Sequence, residues 1–133
     1  MKRKYYTRDE ANSVLPEIKQ MAGKIRQTED LRVEKQKVYV EVMNAIAVNG
    51  GGFRIGHVSE LQKSVERSTQ RLQRLMGMLQ EKFQCEIKGL HPLLVDFYTL
   101  RDGREAFLCW KEDETEISHW HDLDTGFAGR QPL

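Results

Sequence analysis

Two long segments with apolar residues every three and four positions, divided by Asn49-Gly50-Gly51-Gly52, set the architecture more firmly than any other feature of this chain. The first runs Val14, Ile18, Met21, Ile25, Thr28, Arg32, Lys35, Tyr39, Val42, Ile46; seven of the ten are apolar. The second runs Val58, Leu61, Val65, Ser68, Leu72, Leu75, Leu79, Lys82, with six of eight apolar. A 3.5-residue period is that of a coiled-coil seam. The triple glycine stops a helix and allows positive φ. The pattern therefore predicts an antiparallel helical hairpin over 7–84, each arm about 40–50 Å long at ~1.5 Å per residue. With the turn centred near Gly52, Lys35 faces Ser68 or Thr69 and Arg32 faces Leu72, a polar waist in the seam. Three readings fit it: basic side chains laying their stems along the seam, a polar layer that controls register, or an anion or partner site. Gly52 to His57 lacks the Gly-Lys-Ser/Thr ending of a phosphate loop and reads as a hairpin tip.

The hairpin begins at a capping box, Thr7-Arg8-Asp9-Glu10. Pro16 either kinks the first helix or sits in the first turn of a fresh one starting at Ser13; both options put the start of the long helix near Val14. Met76, Met78, Leu31 and Val38 lie off the seam. Two hairpins pairing into a four-helix bundle would cover them, so a homodimer through the hairpin is expected.

After Lys82 the period shortens toward two. Cys85–Leu90, Leu94–Tyr98 and Glu105–Trp110 read as strands, with a fourth over Ile117–His121. Asp102-Gly103 is a hairpin-turn signal; centring the turn there sets Asp96 opposite Cys109, Tyr98 opposite Phe107 and Val95 opposite Trp110. Glu112-Asp113-Glu114 reads as a solvated turn. Val95, Phe97, Leu108 and Trp110 then share one sheet face, and Leu94, Tyr98, Phe107 and Cys109 the other. One face rests on the helices. The other needs a cover, and the tail containing Gly126-Phe127-Ala128-Gly129 is the material left for it. The expected fold is α+β, a single domain over 1–133: the hairpin over 7–84, then a small antiparallel sheet of three or four strands with an ordered tail over 85–133.

Charge narrows the function classes. The chain has 21 Lys and Arg against 20 Asp and Glu, a net charge of +1, which is no footprint for nucleic acid. No apolar stretch approaches the ~20 residues of a membrane helix, and no signal-peptide core follows Lys2-Arg3-Lys4; a cytoplasmic protein is expected. Cys85 and Cys109 lack metal-type spacing and read as free thiols.

Chemistry concentrates at the end. His119 and His121 share a face on a strand, and Asp122 and Asp124 follow. Two imidazoles and nearby carboxylates can hold a divalent metal such as zinc, with a third ligand from Asp96, Glu105, His91 or a partner chain. Against this stands a structural reading in which one histidine hydrogen-bonds the tail and the other is exposed. Arg130 can bind a carboxylate or phosphate bidentately, or pin the tail through Asp122 or Asp124. Cys109 lies mid-strand and reads as core. No Ser–His–Asp or Cys–His nucleophilic arrangement is visible.

The opening Tyr6-Thr7-x-x-Glu10-Ala11-Asn12-x-x-Leu15-Pro16-Glu17, the stretch Val95-Asp96-Phe97 to Leu108-Cys109-Trp110, and the ending Trp120-His121-Asp122-Leu123 to Gly126-Phe127-Ala128-Gly129-Arg130-Gln131-Pro132-Leu133 together resemble a prokaryotic family of small proteins classed as a domain of unknown function. The resemblance covers nearly the whole chain. It implies no activity or cofactor. It emphasises Asp96, Arg101 to Glu105, Trp110, His121 and Gly126 to Pro132, and leaves His119 outside its pattern. Two functional readings stay open. One is a non-enzymatic dimeric module that binds a small ligand or a protein partner at the sheet and tail, through His121, Arg130, Asp96, Asp122, Trp110 and Trp120. The other is a metal-assisted or acid–base hydrolase using His121, nearby Asp residues and Arg130. In either, His119, His121 and Asp124 are the metal candidates.

Overall fold

In the computed structural model, residues 2–49 and 55–133 are described. Two long helices precede a five-stranded antiparallel sheet: α1 (Arg8–Asn49), α2 (Ile55–Phe83), β1 (Cys85–Leu90), β2 (Leu93–Arg101), β3 (Arg104–Lys111), β4 (His119–Asp122) and β5 (Gln131–Pro132). This is the expected α+β fold. The glycine tip, and the phosphate-loop comparison that rests on it, fall at 50–54 and lie outside the described residues.

The capping box forms as its spacing requires: Glu10 N–H donates to Thr7 Oγ1 at 3.1 Å, and Thr7 N–H donates to Glu10 Oε1 at 3.0 Å. Two orphan amides are satisfied reciprocally, so α1 starts at Arg8, and Pro16 lies inside one 42-residue helix. Ser13 does not open a new helix; its hydroxyl donates back to Glu10 O at 2.6 Å. At ~1.5 Å per residue α1 is about 63 Å long and α2 about 43 Å, so α1 exceeds the length expected from the seam alone. The helices run antiparallel. Lys35 Nζ donates to Ser68 Oγ at 3.1 Å, as the seam register requires, and Glu17 pairs with Lys82.

The extra length of α1 is what packs on the sheet. Its buried residues Ala11, Leu15, Ile18, Ala22 and Ile25 follow a four-three line that shares Ile18 and Ile25 with the hairpin seam and adds Ala11, Leu15 and Ala22, because this half of the helix faces the sheet at β2 as well as α2. Leu79 and Phe83 of α2 join Val95, Phe97, Leu108 and Trp110 in the same core. Tyr6 seals one corner: its hydroxyl donates to Phe83 O at 2.7 Å, satisfying a carbonyl at the end of α2 that has no intrahelical partner.

The sheet is a meander in which each strand pairs only with its chain neighbours. Asp102 and Gly103 both have positive φ, 51° and 77°, the requirement of a type I′ hairpin. That turn fixes Asp96 opposite Cys109, Tyr98 opposite Phe107 and Val95 opposite Trp110, the expected register. β4 then pairs Phe107 with His121 and Cys109 with His119.

The acidic turn after β3 is not simply solvated. Glu112 takes a two-bond contact from Arg26 at 3.1 and 2.9 Å and accepts Leu93 N–H at 3.0 Å. Glu114 accepts Lys111 N–H at 2.7 Å. Asn12 clamps the loop that follows, accepting from Ile117 N–H at 2.7 Å and donating to Ile117 O at 3.2 Å. Apolar periodicity carries no record of these carboxylates because their partners lie on α1 and in the tail.

One buried ion cluster is also absent from the periodic pattern. Glu29, 1% exposed, accepts from Arg32 Nε at 2.6 Å and contacts His91 Nε2 at 2.6 Å. Arg32 is thus committed to its own helix rather than to Leu72. The two cysteines are free; Cys85 faces the helices and Cys109 the opposite side of the sheet.

Candidate functional site

On the face of the sheet turned away from the helices, alternation places Asp96 of β2, Cys109 of β3 and His121 of β4 side by side. All three are buried, at 2%, 1% and 2% exposure. Asp96 and His121 reach across β3, and Asp96 Oδ2 lies 2.9 Å from His121 Nε2. Each of the three residues offers a ligand atom within 4.8 Å of the others. His121 Nδ1 is 2.8 Å from Asp122 O. A carbonyl oxygen only accepts, so Nδ1 carries the hydrogen and donates. Nε2 therefore faces Asp96 across one shared proton, held either as an imidazolium–carboxylate pair or as imidazole and carboxylic acid.

Burial pushes the Asp96 carboxyl up, against the opposing pull of the His121 imidazole and the neighbouring Cys109 thiol. Asp96 Oδ1 has no hydrogen-bond partner among the described residues although it is buried. A buried carboxylate oxygen without a donor is costly; Arg130 Nε is likewise buried without a partner among the described residues. Burial, reinforced by Asp96, pushes the Cys109 thiol up to about 12. It is protonated at neutral pH and is not a ready nucleophile.

These groups form the floor of a cavity of about 260 Å³. Leu94 and Phe107 supply apolar sheet walls, and Leu123, Gly126 and Phe127 close it from the tail. Lys88 also lines it, with its ammonium 2.6 Å from Glu86 and 4.9 Å from the Phe107 ring centroid. The tail can take this path because Gly126 adopts φ 65° and Gly129 has no side chain: a Cβ there would lie 2.5 Å from Thr125 Cβ. The cover of this face is shared with the N-terminal segment, where the Arg3 guanidinium stacks 3.9 Å from the Tyr98 ring centroid.

Arg130 holds the tail down, but not through the aspartates expected from the sequence. Its Nη2 donates to both carboxylate oxygens of Glu114, at 2.6 and 2.8 Å, and to Cys109 O at 3.3 Å. Its guanidinium also braces the Phe127 ring, 4.9 Å from the centroid. β5 follows immediately, and Leu133 N–H donates to Ser118 O at 2.9 Å.

The other candidates are placed elsewhere. Trp110 lies in the helix-facing core with its Nε1–H donating to Glu114 O at 2.9 Å. Trp120 packs on the same side under the Arg101 guanidinium, 4.1 Å from its ring centroid. Asp122 contributes its backbone carbonyl to His121, and Asp124 is exposed in the turn beyond. His119 is half-buried, 3.1 Å from Ser118 Oγ and 3.6 Å from Glu114. The structure thus joins His121 to Asp96 and Cys109, not to His119 and Asp124. A mid-strand position marks Cys109 as core; its register position opposite Asp96 is the sequence signal that it belongs with the acid.

Among the described residues no helix is long and apolar enough to cross a membrane. No curated protein and no solved structure matches the chain. The family model for an uncharacterized conserved protein (DUF2203) matches residues 4–133, a span holding both helices, the sheet and the covered cavity, and the chain belongs to that family.

Proposed function

We propose that this protein is a non-enzymatic binding module that takes a small ligand into the cavity between the sheet's outer face and the Leu123–Phe127 tail. The observation that carries this reading is the buried Asp96–His121 pair lining a cavity with apolar walls, with Asp96 Oδ1 left without a donor. A ligand with an N–H, O–H or cationic group and a small apolar body supplies what the site lacks. The hydrolase alternative is weaker on geometry: Arg130 is engaged by Glu114 rather than free for an anionic substrate, Asp124 lies outside the cavity, and Cys109 is a thiol.

A fragment screen by two-dimensional NMR tests the reading. Binders should shift resonances of Phe107, His121 and Phe127, and Asp96→Asn should weaken them at least tenfold. Hits confined to the helices, or affinities unchanged in Asp96→Asn, would overturn it.

The module acts as a homodimer. Leu31, Val33, Val40, Met43 and Val48 on the distal half of α1 are 39–83% exposed, and Val33 and Val40 are one heptad apart, the spacing of a second helical seam. Light scattering should give twice the chain mass, and Leu31→Lys with Val40→Lys should give monomers. A monomer at every concentration would refute the dimer.

A further inference from the structure

We propose that Asp96, Cys109 and His121 form a three-residue site for a divalent cation of the zinc class, completed by a water or ligand atom from the cavity. This rests on the reading of the cavity as the binding site and names one occupant for it.

The donor set suits the ion. Thiolate, imidazole and carboxylate are the zinc ligands, and three protein ligands with one open position is the arrangement of sites that exchange a ligand. Tetrahedral bonds of ~2.0–2.3 Å place ligand atoms about 3.5 Å apart. The three donors already lie within 4.8 Å of one another, so side-chain rotations close the set without moving the strands. Orientation is prepared as well. Asp122 O holds the Nδ1 hydrogen at 2.8 Å, which leaves Nε2 as the donor, the carbonyl–histidine pairing that commonly fixes a metal-bound imidazole. The ion would also meet the unpartnered Asp96 Oδ1.

The charge balances. A carboxylate and a thiolate neutralise a divalent cation in a site with little water, and the neighbouring Lys88 ammonium is already matched by Glu86 at 2.6 Å. Loading displaces the thiol proton of Cys109 and the proton shared between Asp96 and His121 to solvent, about two protons per ion.

The test uses the full chain without a histidine tag, stripped by chelator and titrated with Zn²⁺ against a chromophoric competitor and with Co²⁺ by absorption. One ion should bind, with a thiolate-to-cobalt charge-transfer band. Calorimetry in buffers of different ionisation enthalpy should count about two protons released. Cys109→Ser should abolish the charge-transfer band and His121→Gln should weaken binding at least about 100-fold, whereas Cys85→Ser should change neither. Circular dichroism of each variant excludes loss of fold as the cause. Absence of binding to the folded chain, or binding unaltered in Cys109→Ser and His121→Gln, would overturn the proposal. If fragments still occupy the cavity in that event, only the cation is wrong; if neither binds, the ligand site itself is wrong.

Discussion

Severing Arg130 from Glu114 should release the tail and open the cavity. The side chains are 11% and 18% exposed, so the pair is mostly withdrawn from water. Two unit charges ~4 Å apart at an effective dielectric of ~20 attract by about 4 kcal/mol. Desolvation offsets roughly half, leaving about 2 kcal/mol for the coupling. Arg130→Met removes that coupling and the bond to Cys109 O, and leaves Glu114 with the Lys111 amide and the His119 ring 3.6 Å away, so it should cost about 2–3 kcal/mol. Glu114→Gln should cost less, because the amide oxygen still accepts from both Lys111 and Arg130. Urea unfolding of the wild type, both single variants and the double variant gives the interaction energy from midpoint shifts at constant slope. Amide exchange at Leu133 reads tail release in the same samples. Additive losses, with coupling below about 0.5 kcal/mol and unchanged Leu133 exchange, would show that the tail is held by other contacts.

Gly129→Ala should destabilise by about 1–3 kcal/mol, the range for forced overpacking, because its Cβ would lie 2.5 Å from Thr125 Cβ; Thr125→Gly should restore part of the lost thermal midpoint, and no recovery would contradict the clash. Tyr6→Phe leaves Phe83 O without its 2.7 Å donor and should cost about 1–2 kcal/mol by urea denaturation. Arg32 chiefly, with His91 helping, holds the Glu29 carboxyl below its ordinary value of 4.5. A depressed acid stabilises the folded state above the unfolded-state value and loses that contribution as pH falls through the folded one. Unfolding free energy should therefore drop with acid below about pH 4.5, and the Glu29→Gln profile should be flatter there; identical profiles would refute the assignment.

Half of the site is legible in the sequence. Asp102-Gly103 is a turn with one register, and that register puts Asp96 beside Cys109. The partner of that pair was not legible in the same way. His121 arrives through an irregular loop, residues 112–118, whose path is set by Asn12 gripping Ile117 and by Glu112 meeting Arg26. Local periodicity says nothing about such long-range clamps. The hairpin register was legible because the polar positions Lys35 and Ser68 fall at matching places in two mostly apolar seams. Glu29 was not: in sequence, Glu29 and Arg32 look like any exposed helical ion pair, yet Glu29 is buried and is met by His91 from the β1–β2 turn. Of the two roles open to Arg130 in the sequence, ligand binding and tail anchoring, the structure shows a tail contact, with Glu114 rather than Asp122 or Asp124, since Glu114 sits in a turn that charge alone assigns to solvent.

The meander has a consequence in time. Every pairing in the sheet joins strands adjacent in the chain, so the sheet can grow outward one hairpin at a time, with short loop closures at each step. Asp96 and Cys109 meet as soon as the Asp102-Gly103 hairpin forms. His121 joins them one strand later, and Phe127 roofs the cavity, held down by Arg130, only when the last ladder to β5 is laid. A chain emerging from a ribosome would thus carry an open, polar-floored trough on a partly built sheet, and the pocket would come into existence only once Leu123, Gly126 and Phe127 fold over it.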